Sequence, residues 1–271
     1  MRNIAKKSNT MYLLDKYQLQ ALKKFGQNFI IDLNTVKKIV DSISLDQETC
    51  VIEIGPGIGA LSEQLALKAG HVICYEIDMR LQPVLNESLG EYKNIQIIYQ
   101  DFLKVDLKSV VDQLRKTFSK VCIVANLPYY ITSNIIEKII TSQALINSIH
   151  VMVQKEVALK LTDKNYHSPL TYMIESIGDI SVSMIISRHI FSPAPHIDSA
   201  ILSIQLFQCY DPKLTIILKQ AFTQKRKTIY NNLKELFKDE TNNILKQCTI
   251  SEKLRPEQLT LSDYENLTKY L

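Results

Sequence analysis

Short β-branched runs alternate along most of this chain with stretches long enough for amphipathic helices, and this alternation constrains the fold more than any other feature. The strand candidates are 51–54, 72–75, 95–99, 121–125 and 149–154. The helix candidates between them are 60–69, 79–88, 108–116 and 132–141. Such alternation is typical of right-handed crossovers that build a parallel sheet with helices on both faces. The sequence therefore predicts an α/β fold with a doubly wound, mostly parallel sheet.

The last part of the chain departs from this pattern. Two further runs, 182–187 and 200–207, are predicted to complete the sheet as a hairpin, because Pro193 and Pro195 break the connection between them. After Cys209 the pattern becomes helical, and we expect a small all-α C-terminal domain. Helical spacing joins Leu218, Phe222, Ile229, Leu233 and Leu236, and further helices are predicted near 241–248 and 261–270. The predicted division is a basic N-terminal arm (1–24), a sheet domain (25–209) and a helical domain (210–271).

The net charge is +4, and the positive charge is segregated. Residues 1–24 and residues 219–238 each contain six basic residues against one acidic residue, so the rest of the chain is net acidic. Two basic patches on an acidic body favour a polyanionic partner, and RNA fits best. Ordinary solvated helix faces are the alternative. The residues expected to contact RNA are Lys23, Lys24, Lys225, Arg226 and Lys227.

The five cysteines are scattered and form no pair with metal-ligand spacing. This argues against a disulfide framework and against a metal site, and it favours a reducing cytosol. No apolar run reaches 18 residues, and the N-terminus lacks the apolar stretch of a signal peptide. We therefore expect a cytoplasmic protein without a membrane span.

A glycine-rich turn follows the first predicted strand, at Gly55, Gly57 and Gly59. Glycines at such a turn let the backbone approach a ligand closely, and they aim the next helix N-terminus at it. A dinucleotide site uses similar glycines, and a purely structural turn is the other alternative. Glu53, two residues earlier, favours a cationic ligand over a pyrophosphate. Glu76, followed by Ile77, ends the second strand, where a carboxylate can hold both ribose hydroxyls.

Asp101 and Phe102 come just after the third predicted strand. In a doubly wound sheet the ligand lies over the carboxyl ends of the strands. Asp101 is therefore predicted to lie beside an adenine ring and to accept its amino protons. A helix cap or turn residue is the alternative interpretation.

Asn126, Leu127, Pro128 and Tyr129 follow the fourth predicted strand and form the most specific motif. The Asn126 side-chain oxygen and the Leu127 or Pro128 carbonyl can accept hydrogen bonds from the two N–H groups of an adenine amino group. The lone pair of the amino nitrogen then turns toward an electrophile. Tyr129 can stack on the base, which must come from an unpaired loop or be flipped out of its stack. Catalysis would then depend on positioning and electrostatics. A strand-ending Asn-x-Pro turn is the alternative.

Two further segments have open interpretations. Phe191 begins a loop stiffened by two prolines and either covers the other face of the base or packs as an anchor. The segment from Lys23 to Asp32, with Gln27 and Asn28 beside a glycine, is a candidate lid over the ligand.

These segments, in this order, resemble the KsgA/RsmA family of ribosomal RNA adenine dimethyltransferases. The resemblance covers nearly the whole chain from Lys23 onward. The matching strings are Phe25-Gly26-Gln27-Asn28-Phe29, Glu53-Ile54-Gly55-Pro56-Gly57, Asn126-Leu127-Pro128-Tyr129, the loop 191–200, and Ala221-Phe222-Thr223-Gln224-Lys225-Arg226-Lys227-Thr228 with Asn231-Asn232-Leu233 after it.

The resemblance implies a Rossmann-like class I methyltransferase fold for 25–209. It also implies S-adenosyl-L-methionine as methyl donor and two adjacent adenosines near the 3′ end of 16S rRNA as acceptors, each receiving two methyl groups on N6. We expect a monomer acting on the small ribosomal subunit or its precursor. The implied cofactor contacts are Asn28, Ile30, Gly55, Glu76, Asp101 and Asn126, and Gly57, Ile77 and Phe102 are added as their neighbours. The expected catalytic residues are Asn126, Leu127, Pro128, Tyr129 and Phe191.

One position departs from the family pattern, and three other functions remain as alternatives. His167 stands where the family usually has a glycine, which bears on RNA docking. An Erm-type 23S rRNA methyltransferase is the nearest alternative, although Leu127 and the basic segment favour the small-subunit enzyme. A non-catalytic RNA-binding assembly factor would not need the set Glu76, Asp101 and Asn126. A NAD-dependent dehydrogenase has no use for the tetrapeptide.

Overall fold

The computed structural model describes residues 3–22 and 25–271. The strands in them are β1 (Phe29–Ile30), β2 (Thr49–Ile54), β3 (His71–Glu76), β4 (Ile95–Tyr99), β5 (Lys120–Asn126), β6 (Ser148–Gln154), β7 (Gly178–Ile186), β8 (Phe191–Ser192) and β9 (Ser199–Leu206). A seven-stranded sheet has the order β4-β3-β2-β5-β6-β9-β7, and a two-stranded ribbon pairs β1 with β8.

Helices connect these strands and form the C-terminal end of the chain. Their bounds are α1 (Lys7–Lys16), α2 (Leu33–Asp41), α3 (Ala60–Ala66), α4 (Gln82–Leu89), α5 (Leu107–Leu114), α6 (Thr132–Thr141), α7 (Lys155–Leu161), α8 (Pro169–Glu175), α9 (Pro212–Ala221), α10 (Ile229–Phe237), α11 (Thr241–Gln247) and α12 (Leu261–Leu267). Within the described residues, no helix is both long enough and apolar enough to cross a membrane.

The five strands β2 to β6 run parallel, and β9 pairs antiparallel with both β6 and β7. The chain leaves β2 in one direction through β3 and β4, and it returns on the other side through β5 and β6. The strand order thus reverses at β2, where α/β proteins place their ligands at the carboxyl ends of the strands. The predicted parallel sheet and the terminal hairpin are both confirmed.

Alternate side chains along each central strand pack on opposite faces of the sheet, as the strand period requires. On one face, Ile52 packs in a core with α5, α6 and α8. On the other, Val51 packs in a second core with α2, α3 and α4. Helices α9 to α12 share the first core, so the C-terminal helices pack against the flank formed by α6 and α8.

The N-terminal residues 3–22 pack against the second core, with Leu13 fully buried. The buried carboxylate of Glu63 on α3 accepts the backbone N–H groups of Asn3 at 2.7 Å and of Ile4 at 2.8 Å. It also accepts the hydroxyl of Tyr92 at 3.0 Å. Residues 3 and 4 are therefore anchored to the helix that follows the glycine-rich turn. The predicted boundaries at 24 and 209 remain predictions.

Several details of the secondary structure differ from the sequence predictions. The run expected from Leu218 to Leu236 is interrupted, because α9 ends at Ala221 and α10 begins only at Ile229, where Thr228 caps it through the backbone N–H of Asn231. The helix expected at 79–88 opens with a 3-10 turn at Met79–Leu81 and continues as α4. The helix expected at 60–69 ends at Ala66.

Candidate active site

Four neighbouring strands end at one edge of the sheet, and their ends surround a cleft. Gly55 follows β2, Glu76 ends β3, Asp101 follows β4 and Asn126 ends β5. The cleft consists of two adjoining cavities that are open to solvent and share part of their lining. We call the two together the strand-end cleft. Both cavities are lined by Phe25, Gly55, Glu76, Ile77 and Pro128.

All nine predicted cofactor residues lie in this cleft. The first cavity is lined by Asn28, Ile30, Gly55, Gly57, Glu76, Ile77 and Asn126, and the second by Gly55, Glu76, Ile77, Asp101 and Phe102. Their sequence positions span almost 100 residues, so the sheet brings them together as the strand-end argument requires. Whether each of them contacts a ligand remains a prediction.

The glycine-rich turn leaves open space where a side chain would stand. Gly55 has a φ of +71°, and a Cβ added to it would meet nothing within 4 Å. Because Gly55 lines both cavities, any larger residue would extend into the cleft in a strained conformation. Gly59 caps α3 with a φ of +93°. The turn is thus shaped to leave room for a ligand.

Two buried carboxyl groups face this turn. Glu76 is 4% exposed, and it accepts the backbone N–H of Asp78 at 2.8 Å and of Gly57 at 3.3 Å. Burial raises the pKa of Glu76 to about 7. Glu53 is 1% exposed, accepts a hydrogen bond from the Cys74 thiol at 3.3 Å, and has its pKa raised by burial to about 7. Bringing a cation into the cleft would stabilise the ionised form of both groups.

Asp101 lines the second cavity and also caps a short 3-10 turn, because its Oδ1 accepts the Leu103 backbone N–H at 3.0 Å. Both interpretations of this residue therefore have a structural basis. Phe102 is 4% exposed, and its ring packs edge-on against Tyr75 with the centroids 5.7 Å apart. It forms an apolar wall of the cavity.

The segment Phe25–Phe29 crosses the cleft from one side to the other. On one side Gln27 Nε2 donates to Asp78 Oδ2 at 2.8 Å. On the other side the Asn28 carbonyl accepts Asn126 Nδ2 at 3.1 Å. Gly26 has a φ of +57°, and a Cβ there would lie 2.9 Å from the Pro128 Cβ. This cleft-crossing segment therefore needs glycine at position 26 to lie so close to the tetrapeptide.

The hydrogen bond to Asn28 fixes the orientation of the Asn126 amide. Its nitrogen donates to the Asn28 carbonyl, and no group among residues 3–22 and 25–271 donates to its Oδ1. In the same tetrapeptide, the Pro128 carbonyl already accepts Ile131 N at 3.2 Å and Thr132 Oγ1 at 3.4 Å. Leu127 is buried in the core, so its side chain anchors the motif.

Two predicted catalytic aromatics do not line either cavity. Tyr129 is half-buried, and its hydroxyl lies 2.8 Å from the Ser199 hydroxyl at the start of β9. Phe191 is 3% exposed, and its backbone pairs with Ile30 in the β1–β8 ribbon. The burial of Phe191 agrees with its interpretation as a packed anchor. Its other predicted role, covering the face of the target base, stays a prediction. Ser199 was missed because nothing in the sequence links it to Tyr129, which lies 70 residues earlier.

The basic segment lines neither cavity and forms the turn between α9 and α10. Lys225, Arg226 and Lys227 are all exposed there. Lys23 and Lys24, the other residues predicted to contact RNA, lie outside the described residues. His167, where the chain departs from the family pattern, stacks on Tyr172 with the ring centroids 5.4 Å apart. Tyr172 in turn packs edge-on against Tyr264 of α12, so His167 lies at the junction with the C-terminal helices.

Comparison with known proteins points to one group. A family model described as ribosomal RNA adenine dimethylase matches residues 18–271. The chain is 38% identical to the ribosomal RNA small subunit methyltransferase A of Oceanobacillus iheyensis, over 96% of this chain and 94% of that protein. It is also 38% identical to the protein of the same name from a Geobacillus species, over 100% of this chain and 98% of that protein.

Solved structures give the same picture of the fold. The structure of the 23S rRNA methyltransferase ErmE matches with a TM-score of 0.65 at 26% identity, over 90% of this chain and 99% of that one. A dimethyladenosine transferase from Plasmodium falciparum matches with a TM-score of 0.68 at 21% identity, over 88% of this chain and 95% of that one. These matches confirm the predicted class I methyltransferase fold.

Proposed function

The chain belongs to the ribosomal RNA adenine dimethylase family, and from that premise we propose that it dimethylates N6 of two adjacent adenosines near the 3′ end of small-subunit rRNA. The methyl donor is S-adenosyl-L-methionine. The observation that carries this proposal is the orientation of Asn126, whose Nδ2 is held by the Asn28 carbonyl at the edge of the strand-end cleft. An amide held in this way presents an oxygen, which accepts hydrogen bonds from an amino group.

The residues of the strand-end cleft fit the methyl donor. S-adenosyl-L-methionine supplies an electrophilic methyl group on a cationic sulfur. Glu76 would hold the ribose hydroxyls, with Ile77 and Phe102 as apolar walls for the adenine and Asp101 as acceptor for its amino group. The backbone around Gly55 and Gly57 leaves space for close approach, and Asn28 and Ile30 line the opposite wall. The buried carboxylate of Glu53 favours a cationic ligand.

The target adenine would be held by two acceptors of the tetrapeptide. Asn126 Oδ1 accepts one N–H bond of the amino group, and a main-chain carbonyl accepts the other. The sequence left Leu127 and Pro128 open as the source of that carbonyl. The two hydrogen bonds already made by the Pro128 carbonyl favour Leu127.

Holding both N–H bonds withdraws the nitrogen lone pair from the ring and turns it toward the methyl carbon. Methyl transfer would form the N–C bond as the C–S bond of the donor breaks, and the methylated nitrogen would then release a proton to water. The second transfer to the same nitrogen repeats the step with one N–H bond remaining. The chain thus contributes position and electrostatics, and no general base is required.

Tyr129 would stack on the target base, and its hydrogen bond to Ser199 restricts the direction in which its ring can turn. Phe191 supports the ribbon behind the cleft-crossing segment. The exposed Lys225, Arg226 and Lys227 would contact the RNA backbone, with Lys23 and Lys24 as further candidates. We expect the enzyme to act as a monomer in the cytoplasm, on the small subunit or its precursor.

The test uses purified protein, labelled S-adenosyl-L-methionine and small ribosomal subunits that lack these methyl groups. We expect label on two adjacent adenosines, with about four methyl groups per subunit from two on each base. Large subunits serve as the matched control substrate. Labelling of 23S rRNA alone would contradict the proposal and favour the Erm-type alternative, to which the ErmE structural match gives support. Absence of label on either RNA would favour the assembly factor.

A further inference from the structure

The turn between α9 and α10 exposes three consecutive cations and closes around one buried amide. We call residues Gln224–Thr228 the basic turn. Lys225, Arg226 and Lys227 at its centre are exposed, whereas Asn232, one turn into α10, is 3% exposed. Three adjacent like charges repel one another, so an isolated turn of this sequence would favour extended and variable conformations.

The carboxamide of Asn232 makes its hydrogen bonds with the basic turn. Its Oδ1 accepts the Gln224 backbone N–H at 3.1 Å. Its Nδ2 lies 3.2 Å from the Gln224 carbonyl, 3.4 Å from the Lys227 carbonyl and 3.3 Å from the Thr228 carbonyl. One side chain thus binds both ends of the turn, and three main-chain carbonyls converge on a single amide nitrogen.

The packing of α10 depends on other residues. Ile229 and Leu233 are fully buried and make the apolar contacts of the helix with the first core. Thr228 supplies the helix cap. The carboxamide of Asn232 therefore stabilises the conformation of the turn, and the apolar side chains hold the helix in place.

We propose that Asn232 is a positioning residue for RNA recognition, and that its carboxamide holds the basic turn in the conformation that presents Lys225, Arg226 and Lys227 to the RNA backbone. This inference rests on the proposed function, because it takes rRNA as the partner. A turn fixed before binding does not have to be ordered during binding, so the three cations act together. Without the carboxamide, the turn is no longer held in one conformation, and each cation contacts a phosphate separately.

The main variant is Asn232→Asp. It keeps the shape of the side chain but replaces the Nδ2 donor, on which the three carbonyls converge, by an oxygen acceptor. A buried acceptor facing three carbonyls cannot bind them, so the turn must open. Asn232→Ala is the second variant, since it removes the amide without adding a negative charge near RNA. Asn242→Ala is the matched control, because Asn242 is an exposed asparagine on α11, outside the basic turn.

The measurement is binding to undermethylated small ribosomal subunits over a range of salt concentrations, with thermal melting and S-adenosyl-L-methionine binding as checks of folding. We expect both Asn232 variants to bind about tenfold more weakly at low salt. The slope of log K against log salt is negative, and its magnitude should decrease by about 0.7 to 0.9 for each phosphate contact that is lost. The control should keep the affinity and the slope of the unmodified protein.

A double-mutant cycle separates a positioning role from a merely structural one. In a background with Lys225, Arg226 and Lys227 all replaced by alanine, Asn232→Ala should change the affinity for subunits less than about twofold. An undiminished loss in that background would overturn the proposal, because Asn232 would then act without the cations. An unchanged salt slope in folded Asn232→Ala would overturn it as well.

The cycle also distinguishes this inference from the proposed function. If the triple-alanine protein binds small subunits normally and still methylates them, the basic turn is not an RNA contact and the inference fails while the proposed function stands. If the unmodified protein transfers no methyl group to small subunits, the proposed function itself fails.

Discussion

The strand-end cleft and the basic turn both depend on a buried polar side chain that holds a turn of backbone. They differ in whether the groups expected to bind a partner are buried or exposed to solvent. In the cleft, Glu76 accepts two backbone N–H groups, and the groups expected to bind ligand are themselves buried or lie in a cavity. At the basic turn, Asn232 is buried, and the groups expected to bind RNA are exposed.

This difference sets the size of the effect that each region can have. Buried hydrogen bonds and charges act in a low dielectric, and removing one leaves its partner unsatisfied. Exposed charges are screened by water and salt, so each contributes little alone. Substitutions in the cleft should therefore be severe and selective for chemistry, and those on the turn should be mild and dependent on salt.

The largest expected effect is that of Asn126→Ala. Loss of the oriented amide should lower the turnover rate by about 10²- to 10³-fold, since one preorganised hydrogen-bonding group contributes that much in other enzymes. Affinity for small subunits should remain within a few-fold of the unmodified protein, as measured by single-turnover methylation and by subunit binding. Asn134→Ala, which changes an exposed asparagine on α6, is the control. Unchanged turnover in Asn126→Ala would show that the cleft does not hold the target amine in this way.

The second effect is that of Gly26→Ala. The new Cβ would lie 2.9 Å from the Pro128 Cβ at a φ of +57°, so the cleft-crossing segment must move away and release Asn126 from the Asn28 carbonyl. A displacement of about 1 Å can cost about 10²-fold in rate, and we expect a loss of that order. Melting curves should show that the fold is kept. If methylation stayed normal in a folded variant, the orientation of Asn126 would not depend on this segment.

The third effect is a pH dependence of the affinity for the methyl donor. Because burial raises the pKa of Glu53 to about 7, its carboxyl group is mostly protonated below that pH and must ionise to favour a cation. Affinity for S-adenosyl-L-methionine should rise by about tenfold from pH 6 to pH 8. Glu53→Gln should reduce this rise, and Glu48→Gln, which changes an exposed carboxyl group just before the same strand, should not. Calorimetric titration at three pH values tests this, and a flat profile in the unmodified protein would contradict it.

The same raised pKa also predicts the sign of a stability change. From about pH 4.5 to pH 7 the folded state keeps a proton on Glu53 that the unfolded chain has already released. The contribution of this group to the free energy of unfolding should therefore fall as the pH rises through that window.

The smallest effect is that of single substitutions on the basic turn. Lys225→Ala should weaken binding to small subunits about two- to fivefold at low salt and hardly at all at high salt, because one exposed phosphate contact is lost. Lys246→Ala, an exposed lysine on α11, is the control. A loss of RNA affinity that persisted at high salt would mean that Lys225 makes a buried contact, and the contrast between the two regions would weaken.

The sequence predicted best those features that depend on local pattern. Helix α6 has the bounds expected for it, 132–141, and the strand ends at Gly55, Glu76, Asp101 and Asn126 meet as the topology requires. Both follow from periodicity together with the rule that parallel strands end at one edge.

The features that the sequence did not predict depend on contacts between distant segments. The β1–β8 ribbon has two residues in each strand, too few to show any period. The bond from Asn126 to Asn28 spans 98 residues and uses a main-chain carbonyl, which leaves no side-chain signal. The break between α9 and α10 did have a local signal, because Thr228 is a typical N-cap residue, but the apolar spacing continues across it.

The anchorage of residues 3 and 4 by Glu63 has a consequence for how such a sequence can diverge. Glu63 binds main-chain amides, so the bonds themselves do not depend on which side chains stand at those positions. The number of residues between this anchor and Leu13, in contrast, is set by the packing of α1 against the second core. A single insertion or deletion in α1 before Leu13 would rotate the rest of that helix by about 100° and turn Leu13 out of that core. Orthologues should therefore vary in residue type along this stretch far more readily than in its length.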